Sequence, residues 1–350
     1  MDLNTVWFLL VGILIVAYAV LDGFDLGVGS LYYLLAKNDR EKRLLIASIS
    51  PVWDANEVWL ITGAAALFAA FPIVYASVFS GFYLVMILVL LGLILRAVAV
   101  EFRNHTDSLK WRKTFDALFF SGSFIPALLL GVVVGNITAG IPLNGAYNYT
   151  GTFFGLLNPY ALLFGVVGLF LFLLQGITWT LLKTEGPVWQ RALNLAKPLW
   201  EGLLALLFLA TIYTWHTNPG MTLNYRTYPL LYAIPGFALL GLVLCLAAIR
   251  LGKYGPAFLG SSLAAAGLIL TLAAGLFPRL VPARNPTLSL TIYNAASSPL
   301  ALKAILIIAL MGLPLVLFYT VYVYRVFRGK VKLSQTGYPI AARKKRRLGP

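Results

Sequence analysis

The sequence predicts an all-α polytopic membrane protein with nine transmembrane helices, read as two four-span halves followed by one extra helix. Composition is the first reason: 60% hydrophobic residues, 11% charged residues and a mean hydropathy of +0.85 leave too little polar surface for a soluble protein of 350 residues. The second is length, because repeated apolar runs reach the roughly 20 residues that a helix needs to cross a bilayer. The third is the placement of the basic residues, which supplies an orientation.

Apolar runs bounded by Pro, Gly and charge place the spans at about 5–36, 50–70, 75–101, 115–137, 159–182, 198–216, 229–250, 257–277 and 300–325. All are read as intact helices. The first begins near Thr5 with no basic n-region and no Ala-x-Ala site, and it outruns a signal h-region, so it is expected to stay as helix one. Spans one to four make a first unit at 1–139 and spans five to eight a second at 140–285. The ninth helix occupies 286–328, and a basic tail 329–350.

With the N-terminus outside, the inner loops and tail hold 22 of the 27 Lys and Arg, while the outer loops hold only Arg226, Arg279 and Arg284. That asymmetry favours a cytoplasmic C-terminus. The net charge of +15 therefore belongs beside an anionic inner leaflet, not on nucleic acid. The dense run Arg343 to Arg347 has no interleaved aromatic residues and is expected to lie on lipid headgroups.

The informative residues are acids inside apolar runs. Asp22 and Asp25 come late in span one, and span two opens with Trp53-Asp54-Ala55-Asn56-Glu57. Span three ends in Arg96 and Glu101. At 1.5 Å of rise per residue, three alternating helices bring these groups to one depth in the cytoplasmic half of the membrane. Asp22 with Asp25, and Asp54 with Glu57, are i,i+3 neighbours on one helix side. Gly23 and Gly27 form a small-xxx-small pair that lets another backbone approach. A carboxylate in hydrocarbon costs at least about 2.5 kcal/mol, so such a layer needs protein or water around it and usually a purpose. A proton or water pathway, a structural lock and a cation site all remain open. Asp22, Asp54 and Glu57 carry most of the weight, because Asp25 and Glu101 lie near enough to the headgroups for simple solvation.

Other features point to packing. Asn136 and Asn158 read as turn or cap residues, and Gly81, Gly92, Gly131, Gly135 and Gly165 as helix-packing positions, with Gly81 and Gly92 candidates for contact with a partner. Trp7, Trp53, Trp215, Tyr228 and Tyr232 fall near span ends, as in an aromatic belt. A lone Cys245 excludes an internal disulfide. His105 and His216 lie outside the spans or at their edge, and Met86, Met311 and Cys245 have no ligand-like partner, so neither metal nor haem ligation is expected here.

Segment Val20-Leu21-Asp22-Gly23 in span one also matches Leu173-Leu174-Gln175-Gly176 in span five. A repeat of this kind pairs Asp22 with a neutral Gln175 and confines charge to the first half.

The motifs LDGFDLGVG at 21–29, WDANEVWLITGAAALFAAFPIVYASVFSGFY at 53–83 and LNPYALLFGVV at 157–167 resemble subunit II of the cytochrome bd quinol oxidases, as do YNAASSPLALK at 293–303 and LPLVLFYTVYVYRVF at 313–327. The resemblance covers nearly the whole chain. It implies two four-helix bundles plus a peripheral helix, in a complex with a haem-bearing subunit I that ligates haems b558, b595 and d. Such a complex sits in a bacterial or archaeal cytoplasmic membrane, oxidises ubiquinol or menaquinol and reduces O2 to water. It makes a protonmotive force without pumping. The resemblance further implies that subunit II supports the assembly and gives protons access, leaving open a bound structural quinone or lipid and a small single-helix accessory subunit. On its motif, Asp22 and Asp25 match the paired acids and Asp54 the acid at a cytoplasmic proton entrance. Trp53, Asn56, Arg96 and Glu101 match the remaining polar positions, with Trp53 a candidate neighbour of a quinone or haem. Glu57 departs from members that carry Gln, and the loop between spans six and seven is short. A secondary transporter and a purely structural membrane subunit stay as alternatives.

Overall fold

The computed structural model describes residues 2–331, so the run Arg343 to Arg347 and nearly all of the 329–350 tail lie outside the described residues. The helices in chain order are α1 (Leu3–Leu21), α2 (Gly23–Ser30), α3 (Tyr32–Leu35), α4 (Asp39–Ile49), α5 (Trp53–Ala70), α6 (Pro72–Gly81), α7 (Tyr83–Phe102) and α8 (Leu109–Ala139), then α9 (Pro159–Lys183), α10 (Pro187–Thr217), α11 (Leu223–Thr227), α12 (Ala233–Arg250), α13 (Tyr254–Leu276) and α14 (Pro299–Val326). A small antiparallel hairpin, β1 (Arg279–Val281) and β2 (Leu290–Thr291), links α13 to α14.

Eight helical stretches among the described residues are long and apolar enough to cross a membrane: Leu3–Ser30, Tyr83–Phe102, Leu109–Ala139, Pro159–Lys183, Pro187–Thr217, Pro229–Arg250, Tyr254–Leu276 and Pro299–Val326. The expected second span, α5, is not among them. It has 18 residues, but Asp54, Asn56 and Glu57 in its first turns reduce its apolar character. Its apolar end stops at Phe71, and Pro72, which has no N–H to satisfy, opens α6.

The first span carries a one-residue turn at Asp22 within a helical column that runs over Leu3–Ser30. At Asp22 the backbone (φ −90°, ψ −19°) hands α1 over to α2, yet the Asp22 N–H still donates to Tyr18 O at 2.8 Å and the Leu26 N–H to Asp22 O at 3.0 Å. The stretch read as a basic loop is also helical. Asn38 Oδ1 accepts from Glu41 N at 3.0 Å while Glu41 Oε2 accepts from Lys37 N at 2.7 Å, a reciprocal cap that starts α4.

Small residues decide how the helices meet, as the sequence suggests. A Cβ on Gly27 would lie 1.9 Å from Phe172 O, so α2 and α9 touch backbone to backbone. Gly131 and Gly135 of α8 admit α9 in the same way, at Phe164 and Ala161. Gly81 and Gly92 correct an expectation. Their open sides face Tyr149 and Pro126 of this chain, so neither presents a free notch to a partner. Trp7 corrects another: it is buried and donates its indole N–H to Leu302 O at 3.0 Å, pinning α1 to α14. Asn158 caps α9 by accepting from Ala161 N at 2.9 Å, and its amide donates to Asn136 Oδ1 at 3.0 Å, as cap residues should.

Two large apolar clusters result. One, around Phe24, Tyr32, Leu174 and Trp179, joins α2–α4 to α9, α10 and α13. The other, at the opposite end, gathers Trp7, Phe71, Phe82, Ile141 and Leu290 beneath the hairpin. The acidic groups lie between them, beside Phe24.

Candidate functional site

At the junction of α1 and α2, Asp22 faces Arg96 of α7. Arg96 Nη1 meets Asp22 Oδ1 at 2.8 Å, with both side chains 0% exposed, and Arg96 Nη2 donates to Glu57 Oε1 at 2.5 Å. One guanidinium thus spans carboxylates from two other helices. Its planar fork suits that task, which a lysine ammonium could not perform with the same geometry.

Asp25, one turn further on, is fully buried, against the expectation that it sits near headgroups. Its Oδ2 accepts from Asn56 Nδ2 at 2.7 Å, and Asn56 Oδ1 in turn accepts from the Tyr324 hydroxyl at 2.9 Å. The opposite oxygen, Asp25 Oδ1, has no hydrogen-bond partner among the described residues, and neither does Asp22 Oδ2. Enclosed acceptors left open in this way have room in their chemistry for a proton or a water.

Five of the eight site residues named from sequence therefore come together: Asp22, Asp25, Asn56, Glu57 and Arg96. The other three stand apart. Asp54 is exposed at the start of α5 and Glu101 is exposed near the end of α7, and neither forms an ion pair among the described residues. Trp53 is half-buried against the apolar cluster around Phe24.

Sequence reading missed three elements. Tyr324 completes the Asp25–Asn56 chain from α14, but no pattern distinguishes it from the exposed Tyr319 and Tyr322 beside it. Gln175 was paired with Asp22 only by motif. It is fully buried, neither of its amide atoms has a partner among the described residues, and a Cβ on Gly23 would lie 2.4 Å from its Oε1. The third is a second ionic cluster. Arg103, counted as a loop cation, is buried and donates to Asp116 Oδ1 at 2.5 Å and to Asp39 Oδ1 at 2.9 Å. Lys42 Nζ lies 2.7 Å from Asp116 Oδ2, and the Tyr32 hydroxyl donates to Asp116 Oδ1 at 2.7 Å. A signal existed, since Asp116 is an acid just inside span four.

Burial works against ionisation of Asp39, but its hydrogen bond to Arg103 prevails, followed by the charges of Arg103, Arg43 and Arg112. The carboxyl is held below its ordinary range. This cluster fastens α4 to α7 and α8.

Haem needs an axial donor facing a cavity. His105 and His216 are exposed, Cys245 is enclosed against Gly260, and Met221 packs on Gly275, so these donors do not fit such a group. Among the described residues no three His, Cys, Asp or Glu side chains gather as a metal site.

Comparison with known proteins agrees with the motifs. Residues 3–327 match the family described as cytochrome bd terminal oxidase subunit II. The chain is 38% identical over 360 residues to the cytochrome bd-I ubiquinol oxidase subunit 2 of Escherichia coli (strain K12), covering 94% of this chain and 95% of that one. It is 38% identical over 335 residues to the cytochrome bd ubiquinol oxidase subunit 2 of Bacillus subtilis (strain 168), covering 94% and 97%. A chain of the bd oxidase structure from Geobacillus thermodenitrificans superposes with a TM-score of 0.76 over 93% of this chain and 99% of that chain; at 19% identity this match speaks for the fold alone. Matched along nearly its whole length, with the polar motifs in place, the chain belongs to the cytochrome bd terminal oxidase subunit II family.

Proposed function

We propose that this chain supports a membrane-bound quinol:oxygen oxidoreductase, stabilising a haem-bearing subunit I and giving cytoplasmic protons access to the site of O2 reduction. Family membership supports the reaction, and the buried Asp25, with one oxygen held by Asn56 and the other open, supports the proton role. Haems b558, b595 and d belong on subunit I, where they would supply the electron transfer and oxygen chemistry. This chain's own part is to hold charge and move protons.

In this reading Asp54 takes up a proton at the exposed start of α5, and the Asp22–Arg96–Glu57 group with Asp25 carries it inward. Arg96 keeps negative charge in the layer affordable while leaving Asp25 outside its two direct pairs. The proposal extends to topology: α5 counts as a ninth crossing, the N-terminus lies outside, and the units 1–139, 140–285 and 286–328 are two four-helix bundles and a peripheral helix in the cytoplasmic membrane. A quinone or lipid beside Trp53 and a single-helix accessory subunit belong to the same proposal.

The test is purification of the assembled complex, with haem spectra and oxygen uptake for Asp54→Asn and Asp25→Asn. Reduced turnover per haem at normal haem content is the expected result. Normal turnover per haem with lost assembly would instead make the layer a structural lock. Expression of this chain alone should give no stoichiometric haem.

A further inference from the structure

We propose that Tyr324 is a positioning residue that sets which way Asn56 faces Asp25, and that the end of α14 is clamped to α9 in order to hold it there. The proposal rests on the proton-access reading above but concerns a residue outside the acidic motifs. Asn56 sits between two partners, Asp25 at 2.7 Å and Tyr324 at 2.9 Å, and its amide can satisfy them in two orientations. With Nδ2 toward Asp25, the carboxylate receives a donor. With Oδ1 toward Asp25, only the protonated acid makes a hydrogen bond, because an ionised carboxylate accepts and cannot donate.

Tyr324 biases that choice. A phenolic hydroxyl donates better than it accepts, since its oxygen lone pair is delocalised into the ring. Its best arrangement therefore has Asn56 Oδ1 toward α14 and Nδ2 toward Asp25, as observed. The hydroxyl thus favours the ionised form of Asp25 without touching it.

The clamp explains how a largely uncovered helix delivers one hydroxyl so accurately. Most of α14 is uncovered, but its end is fixed: Lys183 Nζ donates to Phe327 O at 2.8 Å, Lys330 Nζ to Thr184 O at 2.8 Å and Val331 N to Lys183 O at 2.8 Å. The Tyr324 ring also meets Trp179 edge-on at 6.1 Å, and Trp179 stacks on Phe24, the residue before Asp25, at 4.0 Å.

The groups facing Asp25 are few enough to isolate the effect. They are Asp22 from the α1–α2 junction, Glu57 and Asn56 from α5, Arg96 from α7 and Tyr324 from α14, while Tyr18 of α1 faces Asp22. Gln175 of α9, against Gly23, and Ser123 of α8, against Gly29, are uncharged.

The experiment uses the purified complex in wild-type, Tyr324→Phe, Lys183→Met and Asp25→Asn forms. Infrared difference spectra identify the carboxylic C=O band of Asp25 by its loss in Asp25→Asn, and turnover per haem is followed against pH. In Tyr324→Phe the band should shift in frequency and persist to higher pH, by about half a unit to one unit. The alkaline limb of turnover should move the same way, and Lys183→Met should move both less. A band and pH profile unchanged in well-assembled Tyr324→Phe would overturn the proposal. Should Asp25→Asn keep full turnover while the band still moves in Tyr324→Phe, the proton-access reading fails and the positioning role stands.

Discussion

Gly27 of α2 and Gly176 of α9 meet with no side chain between them: a Cβ on Gly27 would lie 2.9 Å from Gly176 N, and a Cβ on Gly176 would lie 2.5 Å from Gly27 C. These helices carry the two segments that the sequence pairs as a weak repeat, LDG at 21–23 and LQG at 174–176. The two matching segments adjoin at Gly23 and Gln175, and the charged member of the pair lies on one side only.

Gly27→Ala should therefore be costly. The added methyl meets the Phe172 carbonyl at 1.9 Å, which is backbone and cannot swing aside, so a loss of about 1–3 kcal/mol is expected. Gly12→Ala is the control, with nothing within 4 Å and an expected change within about 0.5 kcal/mol. Thermal unfolding of the purified complex compares them, and equal midpoints would refute the close contact.

Arg96→Met should damage assembly more than any substitution at Glu101. It leaves Asp22 enclosed without its cation, a change that typically costs about 3–5 kcal/mol. Combining it with Asp22→Asn removes the orphaned charge and should recover part of the complex yield. Failure of the double variant to exceed Arg96→Met in yield would argue against the pair as the source of the loss.

Asp54→Asn should leave stability within about 0.5 kcal/mol of wild type, because Asp54 is exposed and makes no ion pair among the described residues. Asp22→Asn, which strips Arg96 of one partner, should not. Parallel melting curves at neutral pH decide this ordering independently of turnover.

The Arg103 cluster gives a pH dependence with a definite sign. Asp39 has its carboxyl lowered in the folded chain, so its contribution is fully present above the unfolded value, about 3.9, and is lost as pH falls through the folded one. The melting-point difference between wild type and Asp39→Asn should accordingly be present at pH 6 and shrink below about pH 4. A difference that grew on acidification would contradict the assignment.

Much of this arrangement was legible in the chain because intramembrane charge is so costly that an enclosed acid calls for a partner. Asp22, Glu57 and Arg96 met as their shared depth required. What sequence could not rank was exposure: Asp25 is enclosed and Asp54 lies at the surface, and the spacing of the acids does not tell one from the other. Nor could it see contacts 268 residues apart, such as Tyr324 with Asn56, because a tyrosine among tyrosines carries no periodic mark.

The last helix also sets an order of events in biosynthesis. The ion pairs of Arg96 use residues that a ribosome delivers early, whereas Tyr324 follows Asn56 by 268 residues. A nascent or truncated chain lacking α14 can form the charged group but leaves the outer side of Asn56 without its hydroxyl and Trp7 without Leu302 O. Until α14 docks, a membrane protease that samples uncovered first-half helices would meet Asn56 and Trp7 without these partners.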